Sequence, residues 1–330
     1  MEFDLFYLYC RDYDCCGCRV HVDYVPSKLQ YDDAYGKTMN GSFLGTASFP
    51  LKNYWIITKP GIIFGNLITG VGGFLIASKG DINALLFLAT FAGLACIIAA
   101  ACVGNNCIDH KLDQKMERTK YRPLATGALS LKKALIFAFF LLAIGSFLLM
   151  TYVNFLSCAL AWAGLGIYLA IYSLFKTKNR FSTLLGSVAG AMPPLVGYAA
   201  VTRNLDIKAL FFFLLMIFWQ MPHFLAIAIY RLKDYQSASI PLLPLEKGIL
   251  ATKWHMLFYI AGFMGISALL LISCEANLGY LVFMELLGAC WFFLALWGFK
   301  AQEDTLWAKK MFFASLVVIM TFCLGLPLGL

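Results

Sequence analysis

The sequence predicts an all-α membrane protein with nine transmembrane helices, and three observations carry that reading. Of 330 residues, 61% are apolar and only 13% charged, where a soluble protein has roughly 25% charged. So few charges cannot cover a globular surface. The apolar residues fall in long unbroken runs, each near the ~20 residues that cross a bilayer. Backbone in lipid satisfies its polar groups as helices or as a closed barrel. Barrel strands alternate polar and apolar residues, and these runs do not.

Residues 1–50 stand apart from the rest. They hold Cys10, Cys15, Cys16, Cys18 and His21, with tyrosines and acids and no clear period. Thiolates and imidazole bind zinc, but this spacing fits no standard ligand pattern. The stretch reads as a disordered cytoplasmic tail, or as an over-long start with Met39 as the true beginning. Residues 51–330 form the membrane domain. The first apolar run begins near Tyr54, too late for a standard signal peptide, and the acids ahead of it argue against a mitochondrial transit peptide.

Nine apolar segments follow, at about 54–77, 84–104, 132–150, 154–175, 184–202, 208–229, 254–273, 278–298 and 311–329. Most loop lysines and arginines follow the even-numbered spans, from Lys111 to Lys133 and at Lys176, Lys233 and Lys300, for example. The opposite loops carry only Lys79, Arg203 and Lys208. Positive loops stay inside, so the N-terminus is expected in the cytoplasm and the C-terminus outside. The formal charge of +8 therefore sets topology, and no nucleic-acid partner is expected. Cysteines within the apolar runs, such as Cys102 and Cys158, read as small hydrophobes, and no disulfide framework is expected. Gly186, Gly190, Ala191 and Gly197 predict close helix packing in lipid, and Pro193 with Pro194 predicts a kink in the fifth span.

One polar stretch, 105–127, is set in this greasy chain. Asn105, Asp109 and Asp113 are four apart, which on a helix puts them on one face a turn from each other. Two carboxylates and an amide oxygen so placed suit Mg²⁺, which binds one or two carboxylates together with waters and substrate phosphate. Lys115, Arg118, Lys120 and Arg122 follow and suit phosphate oxygens. The alternative is a solvated loop whose charges only fix topology. The regular spacing beside a span favours the site. Glu117 continues the series and is read first as a partner of Lys120 or Lys115. The sixth span ends in a second mixed loop, 230–241, with Lys233 and Asp234. Two such loops facing each other across a bundle would clamp a diphosphate from two sides.

The pattern Asn105-x-x-x-Asp109-x-x-Leu112-Asp113-x-x-Met116-x-Arg118-Thr119-x-x-Arg122-x-x-x-x-Gly127 resembles the signature of the UbiA-type intramembrane prenyltransferases at every fixed position. Residues 58–66, ending in Asn66, together with 115–120, 219–223, 233–235 and 240–244, resemble the branch of that family that farnesylates protohaem IX. The likeness covers about residues 44–330. It implies a bundle around a central cavity capped by cytoplasmic loops. It also implies Mg²⁺-dependent transfer of a farnesyl group from farnesyl diphosphate to a vinyl group of haem B, giving haem O and releasing diphosphate. The implied setting is a bacterial inner membrane with a periplasmic C-terminus, serving assembly of a haem–copper terminal oxidase.

The resemblance implies metal ligation by Asn105, Asp109 and Asp113, and phosphate contacts from Lys120, Arg122, Lys176 and Lys233. Tyr172 and Lys176 resemble the family's Tyr-Lys diphosphate pair; on spacing alone they also read as an aromatic-belt tyrosine and a topology lysine. Many relatives carry two aspartates in the second loop. Here Ala238 takes the place of the second, leaving open whether Asp234 binds metal or pairs with Lys233. His110 stands where that branch often has arginine. Asn66, Arg118 and Asp234 are further substrate-binding candidates. His223 near the end of the sixth span is a candidate haem contact, against the plainer reading of an interfacial histidine beside Pro222. The rival functions are transfer to an aromatic acceptor, disfavoured by the single aspartate of the second loop, and transport, disfavoured because the acids gather at one membrane face rather than at the midplane.

Overall fold

The computed structural model describes residues 49–177 and 181–329, so the readings of the tail and of its cysteines lie outside the described residues. Among the described residues there is no strand. Among the described residues nine helices are long and apolar enough to cross a membrane: Pro60–Ser78, Ala84–Asp113, Leu131–Tyr152, Phe155–Phe175, Ser182–Thr202, Ile207–Tyr230, Gly248–Ser273, Leu278–Lys300 and Asp304–Gly329. The chain is a multi-pass, all-helical membrane protein.

Where boundaries differ from the sequence reading, the physical reason is local. The first span starts at Pro60, not near 54, because a short helix, Phe49–Ile57, breaks off before it. Pro60 lacks an N–H and fits the first helical position, and Lys59 before it is left-handed, with φ 54°. The second span runs on to Asp113, past its apolar stretch, so the acidic series lies on a continuing helix. The seventh span starts at Gly248 and the ninth at Asp304, each ahead of its apolar run. The fifth span divides into Ser182–Gly190 and Met192–Thr202 at the predicted proline kink.

Glycines set the closest crossings. A Cβ on Gly73 would lie 2.0 Å from the Pro194 carbonyl oxygen, and one on Gly197 would lie 2.1 Å from the Gly70 carbonyl oxygen. The first span and the second half of the fifth therefore meet backbone to backbone, as small residues allow in lipid. Burial separates centre from wall. In the fifth and sixth spans 61% of the apolar window is buried, against 17% in the third and fourth. The fifth and sixth thus form the centre, and the third and fourth face outward. The sixth span packs on the seventh and ninth. Two short helices, Leu232–Ser237 and Leu243–Glu246, lead from the sixth span to the seventh at the same end as the acidic series.

Candidate active site

Asn105, Asp109 and Asp113 share one buried face of the second span, at 3%, 6% and 2% exposure. Each holds a basic side chain. Lys59 Nζ donates to Asn105 Oδ1 at 2.8 Å. Lys176 pairs with Asp109 Oδ2. Arg122 reaches both oxygens of Asp113 at 2.8 Å. The Asn105 amide nitrogen donates to Asp109 Oδ2 and to Ser173 Oγ, each at 2.9 Å. Buried carboxylates are stable only when so paired.

Arg122 reaches back because its loop is folded onto the helix end. Thr119 Oγ1 donates to the Asp113 carbonyl at 3.1 Å, and Gln114 Nε2 to the Ala125 carbonyl at 2.8 Å. Gly127, at φ 78°, supplies the left-handed turn that precedes the third span. On the fourth span a π-helical turn, Ile167–Tyr172, precedes Lys176. The Tyr168 carbonyl takes both the backbone N–H and the hydroxyl of Ser173. That extra residue in the turn aims Ser173 and Lys176 at the second span. Tyr168 and Tyr172 stack with centroids 5.6 Å apart, and Lys176 Nζ lies 5.8 Å from the Tyr172 ring centre.

The second mixed loop docks on the first. Ser237 Oγ donates to the Lys115 carbonyl at 3.3 Å, and Met116 and Leu112 pack against Tyr235, Ala238 and Ile240. Partial burial pushes the Tyr235 phenol up from its ordinary pKa, with the nearby Arg118 charge opposing. Lys233 is exposed and Asp234 half-buried, and among the described residues the two form no ion pair. Lys120 turns to Glu117 at 2.6 Å, which raises the lysine pKa.

The model of the UbiA prenyltransferase family matches residues 66–317. The chain belongs to that family. A protoheme IX farnesyltransferase of Protochlamydia amoebophila (strain UWE25) is 46% identical over 280 residues, covering 85% of this chain and 99% of that protein. One of Yersinia pseudotuberculosis serotype O:1b (strain IP 31758) is 48% identical over 270 residues, covering 82% and 92%. The fold is similar to a solved digeranylgeranylglyceryl phosphate synthase, with TM-score 0.70, 18% identity and coverage of 84% and 98%. It is also similar to a UbiA homologue from Archaeoglobus fulgidus bound to DMAPP and Mg²⁺, with TM-score 0.65, 14% identity and coverage of 84% and 100%.

In this UbiA-family chain the structure gathers Asn105, Asp109, Asp113, Arg122, Tyr172 and Lys176 at one point, while Arg118 and Asp234 lie near Tyr235 where the two loops dock. Four other candidates stand apart. Lys120 is engaged outward and Lys233 is exposed. The Asn66 amide donates to the Ile62 carbonyl of its own helix at 2.7 Å. His223 is 1% exposed, with Nδ1 2.7 Å from Ser315 Oγ and its ring stacked with Trp219. His110 Nδ1 turns to the Cys107 carbonyl at 2.8 Å. The sequence reasoning missed Lys59 and Ser173. A lysine at a span mouth reads as a topology signal, and Ser173 gains meaning only from the π turn.

The donor set fits a hard divalent ion. It offers two carboxylates and an amide oxygen on one face. Among the described residues no group of three His, Cys, Asp or Glu gathers into a full cage. Mg²⁺ uses few protein ligands and takes the rest from water and phosphate.

Proposed function

We propose that this chain transfers the farnesyl group of farnesyl diphosphate to a vinyl group of protohaem IX, yielding haem O and diphosphate. Its place is a bacterial inner membrane, with the two mixed loops and the N-terminus cytoplasmic and the C-terminus periplasmic. Its product supplies a haem–copper terminal oxidase. The observation that carries this reading is the buried acidic face whose three side chains each hold one cation. The curated relatives support the choice of donor and acceptor.

The roles follow from charge. Asn105, Asp109 and Asp113 would hold Mg²⁺, which when bound draws electron density from the phosphate oxygens. Lys176 and Arg122, which pair with Asp109 and Asp113, would stabilise the negative charge that grows on the leaving group. Arg118, Lys233 and Asp234 close the site from the docked loop, with Lys120 at the outer edge. As the allylic C1–O bond breaks, its electron pair leaves with diphosphate. The stacked Tyr168 and Tyr172, beside Lys176, would offer π density to the allylic cation. The vinyl π pair then forms the new C–C bond to C1. Water adds to the cation left beside the porphyrin ring and loses a proton to solvent. An apolar bundle keeps water from the allylic cation until then. Asn66 and His223, the latter fixed by Ser315 and Trp219, are assigned to the acceptor side.

The test is direct. Purified protein is incubated with protohaem, farnesyl diphosphate and Mg²⁺, and the haem pool is read by mass spectrometry. A haem heavier by one farnesyl and one hydroxyl group is expected. An unchanged haem pool, alongside transfer to an aromatic acid, would move the chain to the aromatic-acceptor activity.

A further inference from the structure

We propose that Ser173 is a positioning residue for the metal: it fixes which way round the Asn105 amide stands, so that the amide offers its oxygen rather than its nitrogen to Mg²⁺. The proposal rests on the prenyl-transfer reading and deepens it with a residue outside the acidic signature.

An asparagine side chain ends in an acceptor oxygen and a donor nitrogen, and a hard cation takes the oxygen. A half-turn of the amide exchanges the two. A ligand asparagine therefore needs partners that tell its ends apart. Among the described residues Asn105 has three. Its Oδ1 accepts from Lys59 Nζ at 2.8 Å, and its Nδ2 donates to Asp109 Oδ2 and to Ser173 Oγ, each at 2.9 Å. All three favour one orientation.

The three contacts differ in what a ligand does to them. Asp109 is itself a metal ligand in the proposed reading, so the ion competes for its carboxylate. Lys59 lies on the oxygen that the ion would take. Ser173 lies on the nitrogen side of the amide, is uncharged and is 4% exposed. It is the one contact of the three that metal binding leaves alone.

A hydroxyl can donate or accept, so a serine does not by itself distinguish the ends of an amide. This serine does, because its hydrogen is already committed. Ser173 Oγ donates to the Tyr168 carbonyl at 2.8 Å. It faces Asn105 as an acceptor alone, which suits the amide N–H and rejects the amide oxygen. The backbone makes that commitment. In an α-helix a serine hydroxyl commonly turns back to the carbonyl four residues earlier. The π turn Ile167–Tyr172 lengthens the step to five, and gives the Tyr168 carbonyl both the N–H and the O–H of Ser173. Such turns are rare and gather at functional sites. Here the turn aims an acceptor at an amide 68 positions away.

The test is titration calorimetry of the purified protein with preformed Mg²⁺–pyrophosphate, and with pyrophosphate in EDTA. Wild type should bind the magnesium complex; if it does not, the prenyl-transfer reading fails and this proposal with it. If it does, Ser173→Ala should bind the complex about tenfold more weakly, the worth of one hydrogen bond. Ser173→Thr keeps the hydroxyl and should stay within about threefold of wild type. Metal-free pyrophosphate should not separate the variants, because the orientation of the amide matters to the ion. Ser157→Ala is the control for a general structural effect. Ser157 is 0% exposed, lies at the other end of the same span and donates to the Val196 carbonyl at 3.3 Å; its loss should leave binding of the complex unchanged. Should Ser173→Ala not fold, Ser173→Cys fills similar space with a weaker acceptor and should show a loss in the same direction. Wild-type affinity in the folded Ser173→Ala or Ser173→Cys protein would overturn the assignment. So would an equal loss in Ser157→Ala, or an equal loss for metal-free pyrophosphate.

Discussion

The two mixed loops meet at one end of the bundle but are built differently. The first is locked: Asp109 and Asp113 are buried and ion-paired, and Arg122 is drawn back onto the helix end. The second is docked by the apolar contacts of Tyr235, Ala238 and Ile240 on Met116, while Lys233 remains exposed. The first loop is preorganised for charge before any ligand arrives. The second supplies a cover whose charged groups are still to be recruited. Under the proposed function, a site divided in this way would spend little reorganisation on the metal–diphosphate end, where developing charge must be stabilised, and leave the exposed charge of Lys233 on the second loop.

The largest effect should come from the locked side. Asp109→Asn or Asp113→Asn should lower turnover by about a hundredfold or more, with the protein still inserted and monodisperse in detergent. A rate assay on membranes normalised for protein amount checks this. Full activity in either variant would remove the contrast between the loops. Next comes Arg122→Met, which should weaken substrate and slow turnover by about tenfold, because it leaves the 3% exposed Asp113 side chain without its bidentate partner. Steady-state kcat and KM measure it.

On the docked side, Lys233→Met should raise KM for farnesyl diphosphate by only about threefold and leave kcat near wild type, since an exposed cation contributes weakly and is screened by salt. A loss in kcat as large as that of Asp109→Asn would show that the second loop is as preorganised as the first.

The smallest effect lies at the opposite end. Asp206 caps the sixth span, accepting from the Lys208 and Ala209 amides and from the Tyr198 hydroxyl at 2.7 Å. Burial alone would raise its pKa, but these hydrogen bonds outweigh it and hold the carboxyl below its ordinary value. A depressed acid stabilises the fold above its unfolded pKa and loses that contribution as pH falls through the folded one. Asp206→Ala should therefore lower the thermal midpoint at neutral pH, and the gap to wild type should narrow below about pH 4. Prenyl transfer at neutral pH and moderate temperature should barely change.

Much of the architecture was legible in the sequence, and the reason is physical. Span number and class follow from apolar length, which lipid enforces on every helix, so the nine runs became nine helices among the described residues. The proline pair marked the break in the fifth span. Helix ends were less legible, because hydropathy stops near residue 104 whereas the helix continues to Asp113 on the strength of its ion pairs and loop contacts. Within the site, the four-residue spacing made the acidic face visible, and Glu117 was rightly read as a partner of Lys120. Lys59 was invisible for a different reason. Its meaning lies in a hydrogen bond to a residue 46 positions away and in a left-handed turn that no local pattern announces. Ser173 was hidden likewise, since it meets Asn105 68 positions away through a π turn.

The proposed function requires the locked loop to grip a divalent ion only together with a diphosphate. Electron paramagnetic resonance of Mn²⁺, used in place of Mg²⁺, measures this through loss of the free-ion signal. Wild-type protein should bind Mn²⁺ strongly in the presence of the unreactive thio-analogue of farnesyl diphosphate and weakly without it, and Asp109→Asn should abolish the difference. Mn²⁺ binding that is indifferent to both the analogue and Asp109 would remove the metal–diphosphate role of the acidic face.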